Sequence, residues 1–141
     1  MSQTSQDCVF CGIVRGSVPS YTIAENRNVI AFLDAFPTTR GHTLVIPKMH
    51  VEHFDALDTD IAGEVMRMVQ AIAPRIQRAL QAAAYNIIVN TGNAAGQVVP
   101  HVHIHVIPRY PDDGHRAWPG KKVEQADLAA TADLLKKMMR H

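Results

Sequence analysis

The sequence predicts an α+β fold, with helices covering an antiparallel sheet, and three observations carry that prediction. Short β-branched and aromatic stretches between turn residues fill the first third of the chain, a long stretch of helical period fills the middle, and two more strand-like stretches follow. Strands gathered before and after one long helix fit a sheet with helices packed on it. At 141 residues, with no internal repeat, low-complexity run or long linker, the chain is the size of one domain able to bury a core.

The elements follow in order. Cys8 to Val14 is short and apolar and stops at Arg15-Gly16, with Pro19 soon after, which allows one or two helical turns. Tyr21 to Glu25, Asn28 to Asp34 and His42 to Pro47 read as a three-stranded meander, divided by Glu25-Asn26-Arg27 and by Pro37-Thr38-Thr39-Arg40-Gly41. From Asp60 to Ala84 the residues Ile61, Val65, Met68, Val69, Ile72, Ile76 and Leu80 recur at helical spacing, and Asp58, Thr59 or Asp60 can cap the start. Pro74 lies inside this run, where it removes a backbone donor and crowds the preceding turn, so a kink or break is expected. Tyr85 to Asn90 is a strand, "TGNAAGQ" a turn, and His101 to Pro108 its antiparallel partner. After the irregular "RYPDDGHRAWPGKK", Leu128, Thr131, Leu135 and Met138 mark an amphipathic C-terminal helix.

Composition limits the function classes. Lys and Arg number 14 against 13 Asp and Glu, and a net charge of +1 gives no general reason to expect nucleic acid or a membrane as partner. The start "MSQTSQDCVFC" has neither the basic flank nor the apolar run of a leader, and no stretch approaches the ~18 apolar residues of a membrane span, so a soluble cytoplasmic protein is expected. The two cysteines, Cys8 and Cys11, form a C-x-x-C pair. In a reducing compartment this is a metal or redox device rather than a structural disulfide.

The run "PHVHIHVIPR", residues 100–109, places His101, His103 and His105 at every second position. On a strand these share one face, about 6.6 Å apart, while Val102, Ile104 and Val106 point the other way into a core. Two chemistries compete for such a row. A catalytic metal wants two or three imidazoles converging on one ion with an open position for water. An imidazole nucleophile wants a neutral nitrogen facing an electrophile, a neighbour that fixes its tautomer, and donors for the developing charge. Gly92, Gly96 and Gln97 in the preceding loop favour the second, because they supply backbone freedom and an amide beside the row.

His101-Val102-His103-Ile104-His105-Val106-Ile107 resembles the His-x-His-x-His motif, each x hydrophobic, of the histidine-triad (HIT) family of nucleotide hydrolases and transferases. "CVFCGIVRGSVPS", "AFLDAFPTTRGHTLVIPKMH" and "NTGNAAGQVVPHVHIHVIPR" are similar to further segments of that family in their usual order, over about residues 7–112. The resemblance implies a single domain with a C-terminal extension at about 113–141. It also implies a five-stranded antiparallel sheet with one long helix and a C-terminal helix, a homodimer, and a purine nucleotide substrate cleaved at its α-phosphorus. The nucleophile would be His103, forming a nucleotidyl-histidine intermediate, with His105 and Gln97 on the phosphate oxygens and His101 beside them. Asp34 would bind the ribose hydroxyls, Phe10, Ile13 and Phe32 the base, and Asn90 would reach the phosphate region. A backbone carbonyl accepting from His103 would hold its tautomer.

Bacterial members with the C-x-x-C pair hold zinc, and the resemblance assigns it to Cys8, Cys11, His50 and His101, a closed site of structural type. His53 is a neighbour that could substitute. Val98 stands where one branch carries a proton-relaying serine, and the segment around Trp118 and Pro119 is similar to tails that reach a partner subunit's site. His42 and His115 receive no role and are read as solvated or structural. The alternative function is a dimeric nucleotide-binding regulatory or scaffold protein whose chemistry is incidental; a zinc held on the row itself is a third reading.

Overall fold

Nine of the ten residues in the second and third strands are buried, because both faces of those strands are covered. The computed structural model describes residues 6–140; the first five residues of the start read above for a leader therefore lie outside the described residues. The strands are β1 (Thr22–Glu25), β2 (Val29–Leu33), β3 (Thr43–Pro47), β4 (Ala84–Val89) and β5 (Ile104–Arg109). They form one sheet in the order β1-β2-β3-β5-β4, every pair antiparallel. The expected α+β architecture is therefore observed.

Alternation along the strands sorts the core into two layers. Val29, Ala31, Val45, Val102, Ile104 and Val106 face α2 (Thr59–Ala79) and pack on its Val65, Val69, Ile72 and Ala73. Ile30, Phe32, Leu44 and Ile46 face the other way and pack on Cys8, Phe10 and Cys11 at the start of α1 (Val9–Arg15). The β1–β2 turn is held by the Asn26 side chain, whose Oδ1 accepts from the N–H groups of Asn28 and Val29 at 3.0 and 2.9 Å.

The structure differs from the expected elements at four places. Asp58 caps α2, but the helix ends at Ala79 rather than Ala84, because Gln81 takes a left-handed backbone (φ 55°) that turns the chain toward β4. The helix also does not break at Pro74, which lies beside the buried Ile72 and Ala73. Packing that face against the sheet offsets the ~3 kcal/mol a helix-interior proline costs. β5 begins at Ile104, so His101 and His103 precede the ladder: the N–H of His101 donates to Val99 O and that of Val102 to Val51 O, both outside the sheet. Finally, α3 (Gln125–Met139) forms, but none of its residues is buried, and Leu128, Leu135 and Met138 remain exposed. Among the described residues no helix is long and apolar enough to cross a membrane.

Candidate active site

The α1 side of the sheet carries a cleft of about 760 Å³. Phe10 and Ile13 of α1, Phe32 of β2 and Leu44 of β3 supply apolar walls, and Asp34, His103 and His105 bring polar groups to the same space. Three of the four apolar side chains are there because the strand face and helix face that meet at this layer are apolar by sequence. The Phe10 ring stands edge-on to Phe32 at 5.6 Å and to His103 at 5.1 Å, so it joins the apolar wall to the histidine row.

His103 is 6 % exposed, and its Nδ1 lies 2.7 Å from the carbonyl oxygen of His101. A carbonyl only accepts, so Nδ1 carries the proton and Nε2 keeps its lone pair. Burial lowers the His103 pKa, opposed by that hydrogen bond and by Asp34. The residue is thus a neutral imidazole with an unprotonated Nε2, the form a nucleophile needs.

Beside it, His105 is held through Nδ1, which lies 2.9 Å from Nε2 of His42. His42 is only 4 % exposed, and its Nδ1 accepts the Thr38 N–H at 3.0 Å. Its Nε2 also approaches Oδ2 of Asp34 at 3.5 Å. His105 Nε2 is buried and has no hydrogen-bond partner among the described residues. Burial pushes His105 down to about 4, with His103 and His42 adding to the shift, and burial likewise lowers His42. Sequence reasoning missed His42 and expected it to be solvated or structural. An isolated histidine ahead of a strand carries no mark of the long-range contact to His105, 63 positions later.

Asp34, His42 and His105 are close enough to one another to hold a metal ion. The Thr38 N–H on Nδ1 argues otherwise: it places the His42 proton on Nε2, which makes that atom a donor rather than a ligand. The histidine row does not converge on one ion either, because His101 turns its ring away toward the cysteines.

Three of the residues expected at the phosphate do not line the cleft. Both amide protons of Gln97 are donated to backbone carbonyls, Glu52 O at 2.7 Å and Val99 O at 3.1 Å, while Oε1 accepts from Gly92 N–H at 2.9 Å. Gln97 therefore braces the loop that carries Gly96 and Val98 to the cleft. Asn90 is half-buried, with its amide nitrogen 3.7 Å from where a Cβ on Gly96 would stand. His101 is fully buried and meets the cleft residue His103 through its carbonyl oxygen.

The His101 ring belongs to a second cluster with Cys8, Cys11 and His50, whose ligand atoms all lie within 4.8 Å of one another. Its Nδ1 lies 3.4 and 3.5 Å from the two sulfurs, and Nδ1 of His50 lies 3.3 Å from Cys11 Sγ. Tetrahedral coordination with sulfur at about 2.3 Å and nitrogen at about 2.0–2.1 Å separates them by about 3.6 Å, so the cluster is the size a metal needs. The tautomer fits as well. His101 Nε2–H donates to Pro47 O at 2.8 Å, which leaves Nδ1 as a lone pair facing the thiols. Without a metal, burial pushes the Cys11 thiol up to about 11. His53 is exposed and outside the cluster.

Comparison with known proteins agrees with this geometry. A family model described as "HIT domain" matches residues 15–112. The adenosine 5'-monophosphoramidase of Schizosaccharomyces pombe is 33 % identical over 129 residues, covering 89 % of this chain and 93 % of that protein. A HIT family protein from Bacillus subtilis superposes with a TM-score of 0.88 at 35 % identity, covering 96 % of this chain and 99 % of the other. A Zn-bound histidine triad family protein from Mycobacterium smegmatis superposes with a TM-score of 0.75 at 37 % identity, covering 95 % and 99 %.

Proposed function

Because the chain belongs to the HIT domain family, we propose that it is a nucleotide hydrolase or nucleotidyl transferase acting at the α-phosphorus of a purine nucleoside phosphoramidate or related nucleotide. The observation that carries this reading is the 2.7 Å bond from His103 Nδ1–H to His101 O, which leaves a neutral Nε2 in a cleft with an apolar end and a carboxylate. The fission yeast relative's name supports the phosphoramidate class.

In this reading Nε2 of His103 attacks phosphorus. A P–N bond forms, the bond to the leaving group breaks with its electron pair going to the leaving atom, which takes a proton from solvent, and the imidazolium so created keeps Nδ1–H on the His101 carbonyl. Water then cleaves the P–N bond and returns the neutral histidine. His105 Nε2–H, without a partner among the described residues, donates to a phosphate oxygen. Asp34 accepts from the ribose hydroxyls, and Phe10, Ile13 and Phe32 enclose the base. Gln97, whose amide is bonded to backbone groups, braces the loop beside the phosphate, and Asn90 reaches the phosphate region.

Cys8, Cys11, His50 and His101 are proposed to hold a zinc ion, which the Mycobacterium smegmatis structure supports. The ion would supply structural cross-linking there, tying α1 to the segment that bears His103. The proposed protein partner is a second copy of the chain, in the cytoplasm. β4 lies at the edge of the sheet, with Ile87 and Val89 exposed at 45 % and 42 %. Sedimentation equilibrium giving twice the 15.5 kDa chain mass supports the dimer, and a single-chain mass rejects it.

Intact-protein mass spectrometry of a rapidly quenched reaction with adenosine 5'-phosphoramidate tests the function. The wild type is expected to carry an adenylyl adduct. His103→Ala should carry none and lose turnover by on the order of 10⁴-fold or more while still binding AMP. Binding of AMP with neither adduct nor turnover in the wild type would favour a nucleotide-binding regulator instead.

A further inference from the structure

We propose that Tyr21 and Phe36 form an aromatic rim on the cleft, a subsite that stacks on the nucleobase where it emerges from the walls of Phe10, Ile13 and Phe32. Phe36 is 90 % exposed and Tyr21 80 %, which makes them the two most exposed aromatic side chains among the described residues. Both line the cleft, and so does Asp34. A single exposed apolar side chain is ordinary on a protein surface. Two aromatic rings bordering one concave site, with a carboxylate in the same space, are instead a contact surface open to a planar ligand.

The backbone beneath each ring is held in place. Leu33 N–H donates to Tyr21 O at 3.0 Å, which ties Tyr21 to the residue between Phe32 and Asp34. Phe36 N–H donates to Asp34 Oδ1 at 2.8 Å, so the carboxylate proposed for the ribose hydroxyls also fixes the Phe36 backbone. The loop beyond Phe36 is tied down as well: Thr39 Oγ1–H donates to Pro108 O at 2.6 Å and Tyr110 O–H to Arg40 O at 2.8 Å. An aromatic ring on a fixed backbone has only two side-chain torsions to lose when a ligand covers it, which makes it an effective binding group. The Asp34 carboxylate beside Phe36 repels a phosphate at this end of the cleft and leaves the uncharged, planar base as the part of a nucleotide that suits the rim.

The subsite rests on the nucleotide reading above, and the test compares AMP with ribose 5-phosphate, which lacks the base. In the double variant Tyr21→Ser, Phe36→Ser, AMP affinity by titration calorimetry should fall about 5- to 50-fold, whereas ribose 5-phosphate affinity should change less than about 2-fold. KM for adenosine 5'-phosphoramidate should rise with the AMP loss while kcat changes less than about 3-fold, the mark of a contact made equally in ground and transition states. Tyr21→Phe with Phe36→Tyr, which keeps both rings, should hold AMP affinity within about 2-fold of the wild type. An AMP affinity unchanged in the serine variant overturns the proposal. So does an equal loss for ribose 5-phosphate, which would mean that the two residues hold the chain rather than the base. A serine variant that loses self-association at unchanged AMP affinity overturns it in favour of a second copy of the chain on the rim. If the double variant does not fold, the single serine variants decide by the same comparison. If the wild type binds AMP but turns over no phosphoramidate, the proposed function fails while the comparison of AMP with ribose 5-phosphate still judges the rim.

Discussion

Inside the cleft, each histidine is a donor or an acceptor according to one neighbour: a carbonyl behind His103, an N–H behind His42, and His42 itself behind His105. These assignments hold only while the rings are neutral, and burial keeps them so. It lowers His42 and His103 below the usual 6.5 and takes His105 to about 4. The unfolded chain takes up protons at these positions near 6.5, whereas the folded chain does so only at lower pH. The unfolded state therefore binds more protons between about 6.5 and 4, and stability present at pH 7 is lost as pH falls through that window. The midpoint of urea unfolding should be lower at pH 5 than at pH 7, and the drop should shrink in His105→Gln. A midpoint that stays level or rises on acidification contradicts the neutral assignments. The sequence made His103 visible by alternation, and Asp34 and Phe10 only through the resemblance of their segments to the family. It could not show Thr38 or Pro47, which act through main-chain atoms available at any residue type.

Strand and helix periods were legible to within a residue or two for β1 to β4, since alternation and turn residues act locally. The start of β5 was not, because the bonds that take His101 and Val102 out of the ladder run to Val99 and Val51, and no local pattern encodes them. The role of Gln97 was hidden for a similar reason: an amide near a phosphate site and an amide bracing its loop have the same sequence. In α3 the helical period was legible, but the period does not say whether the apolar stripe meets the rest of the chain. This has a measurable consequence. Truncation before Gln125 should move the melting temperature by no more than about 2 °C, because no residue of α3 is buried. Ile46→Ala, at a fully buried position in the layer under α1, should cost roughly 2–5 kcal/mol and lower it well beyond that. A truncation as damaging as Ile46→Ala would mean that α3 contributes to the core after all.

At the scale of the whole molecule, the metal cluster and the cleft share their supports. α1 carries Phe10 and Ile13 into the cleft from the same short helix whose start bears Cys8 and Cys11. His101 turns its ring to the cysteines and its carbonyl to His103, so one residue fixes both the cluster and the His103 tautomer. An ion cross-linking α1 to His101 would therefore restrict Phe10 and His103 together, and on the proposed function a nucleotide packed against Phe10 would restrict the cluster in return. Two ligands that each order the same elements bind cooperatively, and the coupling is reciprocal. Removing zinc with a chelator should lower the melting temperature and weaken AMP binding by about 5-fold or more, within the usual range of such couplings. Saturating AMP should tighten zinc binding by the same factor. Calorimetric titrations of AMP into zinc-loaded and stripped protein, and of zinc with and without AMP, measure the two factors separately. Equal AMP affinity in both forms would mean that α1 and His101 hold their places without the ion, and that the cluster stabilises the chain independently of the cleft.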